Sequence, residues 1–162
     1  MVGLIVQPVL PIATRVSLFL LSASLIGCGS SLGTSETLLS DFRQKVVVPP
    51  LPAQMTPEQR YRLSGVTVKN TGQQVWPVSG EHQVELTYNW LTPEGKFVSH
   101  GVVTPLLDDL APGQSQSLLA TIVAPLEPGR YLIRFTMIAQ KIAWFSDMGG
   151  ATSEYPVTVV LQ

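Results

Sequence analysis

Few side chains in this 162-residue sequence have the type and spacing to do chemistry. Near neutral pH only His82 and His100 could serve as general bases, and they fall at the start of one strand-like run and the end of another. Exposed or cross-strand histidine fits those positions better than catalysis. Asp108 and Asp109 are adjacent, so on an extended backbone their carboxylates point to opposite sides and share no proton. They instead shape the turn before Pro112. No serine sits in a G-x-S-x-G elbow, and no His or Cys spacing resembles a zinc site. Gly149-Gly150 lacks the preceding strand and following helix of a phosphate loop. The sequence therefore nominates no catalytic residue, no metal and no cofactor.

The single cysteine, Cys28, has a different setting. Before it, VSLFLLSASLIG runs from Val16 to Gly27 without a charge, preceded by Arg15 and followed by residues rich in Gly, Ser and Thr. Twelve residues at about 1.5 Å each span about 18 Å as a helix, short of the roughly 30 Å hydrocarbon core. The layout is that of an export signal, with a basic residue, a short apolar core and small residues at the cut. Leu25, Ile26, Gly27 and Cys28 resemble the lipobox of bacterial lipoproteins. That resemblance implies cleavage before Cys28, a lipid on its sulfur and anchorage to a membrane. Gly29 and Ser30 follow where an aspartate would mark inner-membrane retention. In a diderm host this favours the outer membrane, facing the periplasm. With one cysteine there is no intramolecular disulfide, so an exported fold must stand on its core.

The elements that would carry these residues are β-strands. Residues 1–27 read as the signal peptide, 28–44 as the lipidated cysteine with a flexible tether, and 45–162 as one domain. The tether holds at most a short helical turn from Ser40. With 10 basic and 11 acidic residues, the chain offers no electrostatic case for nucleic acid or for a polybasic membrane patch. Thirteen Pro and 13 Gly, with many Val and Thr, point to strands cut by frequent turns.

In EHQVELTYNW the residues Val84, Leu86, Tyr88 and Trp90 alternate with polar ones, the period of a half-buried antiparallel strand. In YRLSGVTVKN the apolar parity switches after Leu63, which predicts a bulge at Ser64 and Gly65. Lys45 to Val48 reads as an edge strand. Further strands are expected at Phe97–Thr104, Ser115–Val123, Arg130–Ile138 and Tyr155–Leu161. Turn signals bound them: NTG at 70–72, TPEG at 92–95, APG at 111–113 and EPG at 127–129. Six or seven strands with no useful helix between them predict an all-β, antiparallel β-sandwich of about seven strands.

Trp90 on a central strand and Tyr131 after the Pro128-Gly129 turn occupy positions like the core tryptophan and tyrosine corner of immunoglobulin-like domains. The strings VTVKNTGQQVWP, VELTYNWLTPEGKFV, TPLLDDLAPGQSQSLLATIVAPLEPGRYLIRFTMI and AWFSDMG resemble the immunoglobulin-like modules appended to bacterial glycosyltransferases and methyltransferases. They are similar, more distantly, to the central four-tryptophan domain of an autophagy receptor. The resemblance covers Leu63 to Leu161 and implies a non-catalytic β-sandwich of a kind that sits beside envelope or glycan enzymes; the expectation here departs from that pattern, a module without an enzyme domain. Its partner is then an envelope polysaccharide or an envelope protein complex. Trp76, Trp144 and Phe145 are the aromatics placed near loops, where rings either pack the core or offer a face to a sugar. Because Trp144 and Phe145 are adjacent, one can face in while the other faces out.

Overall fold

The computed structural model describes residues 38 to 161. Cys28 and the lipobox-like Leu25, Ile26 and Gly27 lie outside them. The described residues form ten strands and no helix. A three-stranded sheet, ordered β1-β3-β7, consists of β1 (Gln44–Val47), β3 (Arg60–Asn70) and β7 (Ser115–Val123). The second sheet is ordered β2-β10-β8-β4-β5. It holds β2 (Gln54–Met55), β4 (Val84–Leu91), β5 (Phe97–His100), β8 (Gly129–Ala139) and β10 (Ser153–Val159). Two short strands complete it: β6 (Thr104–Pro105) beside β4 and β9 (Ala143–Trp144) beside β8. The fold is an immunoglobulin-like antiparallel β-sandwich.

Alternation explains how the sheets meet. Leu63, Val66 and Val68 on β3 and Leu118, Ala120 and Ile122 on β7 point inward. They pack with Leu86, Tyr88 and Trp90 on β4 and Ile133, Phe135 and Met137 on β8 in one buried cluster. The bulge expected in β3 is present: the register with β7 shifts between Ser64 and Val66, and Gly65 takes a φ of 88°. Only glycine enters that region without steric cost, so one residue is spared and both halves of β3 keep a single buried face. The tyrosine corner forms as well. Tyr131 Oη donates to the Glu127 carbonyl at 2.9 Å, while Trp90 Nε1 donates to the Val123 carbonyl at 2.9 Å.

Three expectations change. The alternation of β4 predicted a half-buried strand, yet all eight of its residues are buried, including Glu85, Thr87 and Asn89. The Phe97–Thr104 strand breaks after His100 and resumes as β6. The tether reading fails for 38–44, and no helical turn starts at Ser40. Leu39 and Phe42 join the core instead. The Ser40 and Asp41 amides both donate to Gln74 Oε1, at 2.8 and 2.9 Å. Asp41 accepts the Arg43 guanidinium at 2.6 Å and the Gln73 amide at 2.8 Å. This arrangement holds the Asp41 carboxyl well below its ordinary range, chiefly through Arg43.

One pair departs from the antiparallel rule. β2 runs parallel to β10, with Gln54 opposite Thr158 and Met55 opposite Val159. Nearly the whole domain serves as the crossover between them, so the short-linker argument against parallel pairs does not apply.

Candidate functional site

The three loop-associated aromatics part company. Trp76 and Phe145 are fully buried, so they are core residues and not a ligand surface. Phe145 stands edge-on between Phe42, 5.3 Å away, and Trp76, 5.1 Å away. Its amide donates to the Met137 carbonyl at 2.9 Å, extending the ladder of β8. Trp76 Nε1 has no hydrogen-bond partner among the described residues.

Trp144 has the opposite parity. It pairs with Ile138, which pairs with Glu85, so its side chain lies on the outer face of the larger sheet. There it stacks on His100, with ring centroids 4.5 Å apart and planes 20° from parallel. His100 in turn meets Phe97 at 4.6 Å. Because β5 and β9 lie on opposite sides of the β4–β8 pair, this three-ring row joins the flanks of the sheet across its outer face. Phe97 keeps 49 % of its surface exposed.

Polar groups of β4 share that face. Glu85 Oε2 accepts from Gln140 Nε2 at 2.6 Å, and Asn89 Oδ1 lies 2.9 Å from His100 Nδ1. With the imidazole donating that bond, its Nε2 is left as an acceptor. Thr87 Oγ1, buried between them in sequence and on the same face, has no partner among the described residues.

His100 also borders a cleft of about 340 Å³ lined by residues of both sheets. Tyr88 and Trp90 line it from β4, Arg60 from β3 and Gly101 from the chain after β5. Tyr88 Oη accepts the Val123 amide at 2.8 Å, and burial pushes its phenol pKa up. Gly101 is obligatory here, since a Cβ would fall 2.2 Å from the Tyr88 ring.

His82 lies elsewhere, with Nδ1 3.3 Å from the Gln140 carbonyl. The structure does not bring the two histidines together. Asp109 accepts the Val78 amide at 2.8 Å, a contact with a distant segment and not within the turn before Pro112. No group of three or more His, Cys, Asp or Glu with metal-holding geometry occurs among the described residues.

Sequence reasoning missed two polar residues that organise these surroundings. Asn70 is fully buried; its Nδ2 donates to the carbonyls of Gln74 and Leu110, and its Oδ1 accepts the Gly72 amide. Gln44 belongs to β1, yet its side chain accepts the Met137 amide at 2.7 Å and donates to Thr136 Oγ1 at 3.0 Å, in the opposite sheet. The NTG string signalled the turn at Asn70. Nothing local signals Gln44.

No protein-family model matches the chain, and no curated protein sequence matches it. Among solved structures it is similar to the CARDB domain of a Pyrococcus furiosus protein, at 17 % identity over 74 % of this chain and 94 % of that one, with a TM-score of 0.40. A crystal structure of that domain in complex with di-metal ions gives 17 % identity, 74 % and 91 % coverage and 0.39. The sporulation control protein Spo0M of Bacillus subtilis gives 11 % identity over 74 % of this chain and 49 % of that one, at 0.41. The sandwich assignment rests on this chain's own strand pairing.

Proposed function

We propose that the chain is a non-catalytic binding module of the bacterial envelope, held outside the cytoplasm by a lipid on Cys28, and that its outer-face aromatic row takes an envelope polysaccharide. One observation carries the reading: Phe97, His100 and Trp144 form a row of rings on a sheet face, half exposed at Phe97. Aromatic rings present flat apolar surfaces on which the C–H face of a pyranose packs, while fixed polar groups nearby set orientation. His100 Nε2 is of that kind. The adjoining cleft gives a chain of sugars room to continue.

The test is binding of the whole chain to purified envelope polysaccharide, with Phe97→Ala and Trp144→Ala compared to the parent. Each substitution removes one ring contact and should weaken binding about tenfold while near-UV circular dichroism stays native in its remaining bands. Unchanged binding in both variants would reduce the row to packing and sink the reading.

A second reading is favoured by β1, which pairs only with β3 and leaves its other edge without a strand partner among the described residues. Such an edge can add to a partner's sheet, making the chain an accessory subunit of an envelope protein complex. Retention of one discrete envelope protein, with no polysaccharide bound, would favour it.

A further inference from the structure

The near neutrality of the chain conceals a segregation of charge. Strands β1, β3 and β7 contain four cations, Lys45, Arg60, Arg62 and Lys69, and no aspartate or glutamate. Arg60, at the start of β3, lines the cleft. The other three are exposed and alternate onto the outer face of the three-stranded sheet, away from the inward Leu63, Val66 and Val68. None of the three forms a salt bridge among the described residues, whose ion pairs are Arg43–Asp41, Arg134–Glu154 and Lys141–Glu81.

The register adds an independent sign. Lys45 lies directly opposite Lys69 in the β1–β3 ladder. Like charges in such a pair are destabilising, and here no carboxylate relieves them. An anion supplied from outside would. Between the cations stand Val47 and Leu119, half exposed on the same face. Aliphatic side chains among cations suit a surface that is charged at its headgroups and apolar just below them. The face extends about 23 Å along β3, from Arg62 to Lys69, far more than one small anion covers. Finally, the described residues begin at Leu38, six positions before β1, the edge strand of this sheet.

We infer that the outer face of the β1-β3-β7 sheet docks on an anionic phospholipid surface through Lys45, Arg62 and Lys69, leaving the aromatic row of the opposite sheet turned away from the membrane. The inference rests on the membrane-anchoring side of the proposed function but not on lipidation, because the face attracts anionic lipid by itself at low salt. Its range is set by screening, with a Debye length of about 8 Å at physiological ionic strength.

The chain has four lysines: Lys45 and Lys69 on the basic face, and Lys96 and Lys141 in turns of the other sheet. Acetylation of the full chain, read lysine by lysine by mass spectrometry, therefore reports orientation directly. The chain is mixed with vesicles of phosphatidylcholine alone, or of an equal mixture with phosphatidylglycerol. Sedimentation with phosphatidylcholine reports the N-terminal segment; the difference between the two vesicles reports the face. The expected result is about fivefold slower acetylation of Lys45 and Lys69 on the anionic vesicles, with Lys96 and Lys141 unchanged and the protection lost in high salt. Lys45→Glu should leave folding intact, since it places opposite charges across the ladder, yet weaken the anionic difference about tenfold or more. Failure to sediment with anionic vesicles at low salt overturns the inference, as does equal protection of all four lysines. Equal protection of Lys45 and Lys69 by soluble polyphosphate overturns the lipid surface in favour of a linear polyanion. Loss of polysaccharide binding in Trp144→Ala leaves all of these outcomes unaffected, so the two readings fail separately.

Discussion

Gly101 and Lys141 mark the two ways a single residue limits this fold. At Gly101 the constraint is space. The chain passes so close to Tyr88 that its amide donates to the Tyr88 carbonyl at 2.7 Å, and the ring cannot withdraw because Tyr88 Oη holds the Val123 amide. Gly101→Ala is expected to cost about 3 kcal/mol or more, read as a lowered urea midpoint. At Lys141 the constraint is conformation, with a φ of 59° in the turn between β8 and β9. Lys141→Gly relieves that strain and gives up only an exposed ion pair with Glu81. A gain of a few tenths to about 1 kcal/mol is expected by thermal melting. The adjacency of Trp144 and Phe145 made it legible that one ring faces in and one out. Which one faces out was not legible, because the choice follows from pairing with Ile138 and Met137 rather than from local sequence.

At the scale of elements, β7 and β8 matched their sequence patterns to within a residue, and the β3 bulge was visible in the parity switch after Leu63. What escaped was cover from afar. The alternation of β4 is genuine, yet its polar residues are buried on a face that Trp144, His100 and Gln140 also occupy, contributed by later parts of the chain. Residues 38–43 escaped for a similar reason. Their hydrogen bonds run to Gln73 and Gln74 more than thirty positions away, with no periodicity to betray them. Their hold is pH-dependent. The Asp41 carboxyl is depressed relative to its unfolded value, so its contribution is complete above about pH 4 and is lost as pH falls through the folded value. The Gln73 amide resonance should therefore move in strong acid, and its protection relative to the intrinsic exchange rate should fall. Asp41→Asn should show the same change at neutral pH, and an acid-insensitive Gln73 amide would refute the argument.

Over the whole molecule, the class of fold follows from turn spacing and alternation, which a sandwich of short antiparallel strands displays in any one stretch of sequence. The distribution of charge does not. Only strand order places Lys45 beside Lys69 and gathers basic strands into one sheet, so a chain with 10 basic and 11 acidic residues carries a cationic face that no total reveals. The aromatic row is equally a product of assembly, since Phe97 and Trp144 lie on strands separated by β4 and β8. Gln44 has a further consequence. It is the first residue of the first strand, and it fastens that strand to β8 in the opposite sheet. Tension applied to the domain from its N-terminal side reaches Ser40, Asp41 and then Gln44 before any other strand. The clasp from residue 40 to 44 is thus the first mechanical link to load and the first to yield, sparing the aromatic row until it gives.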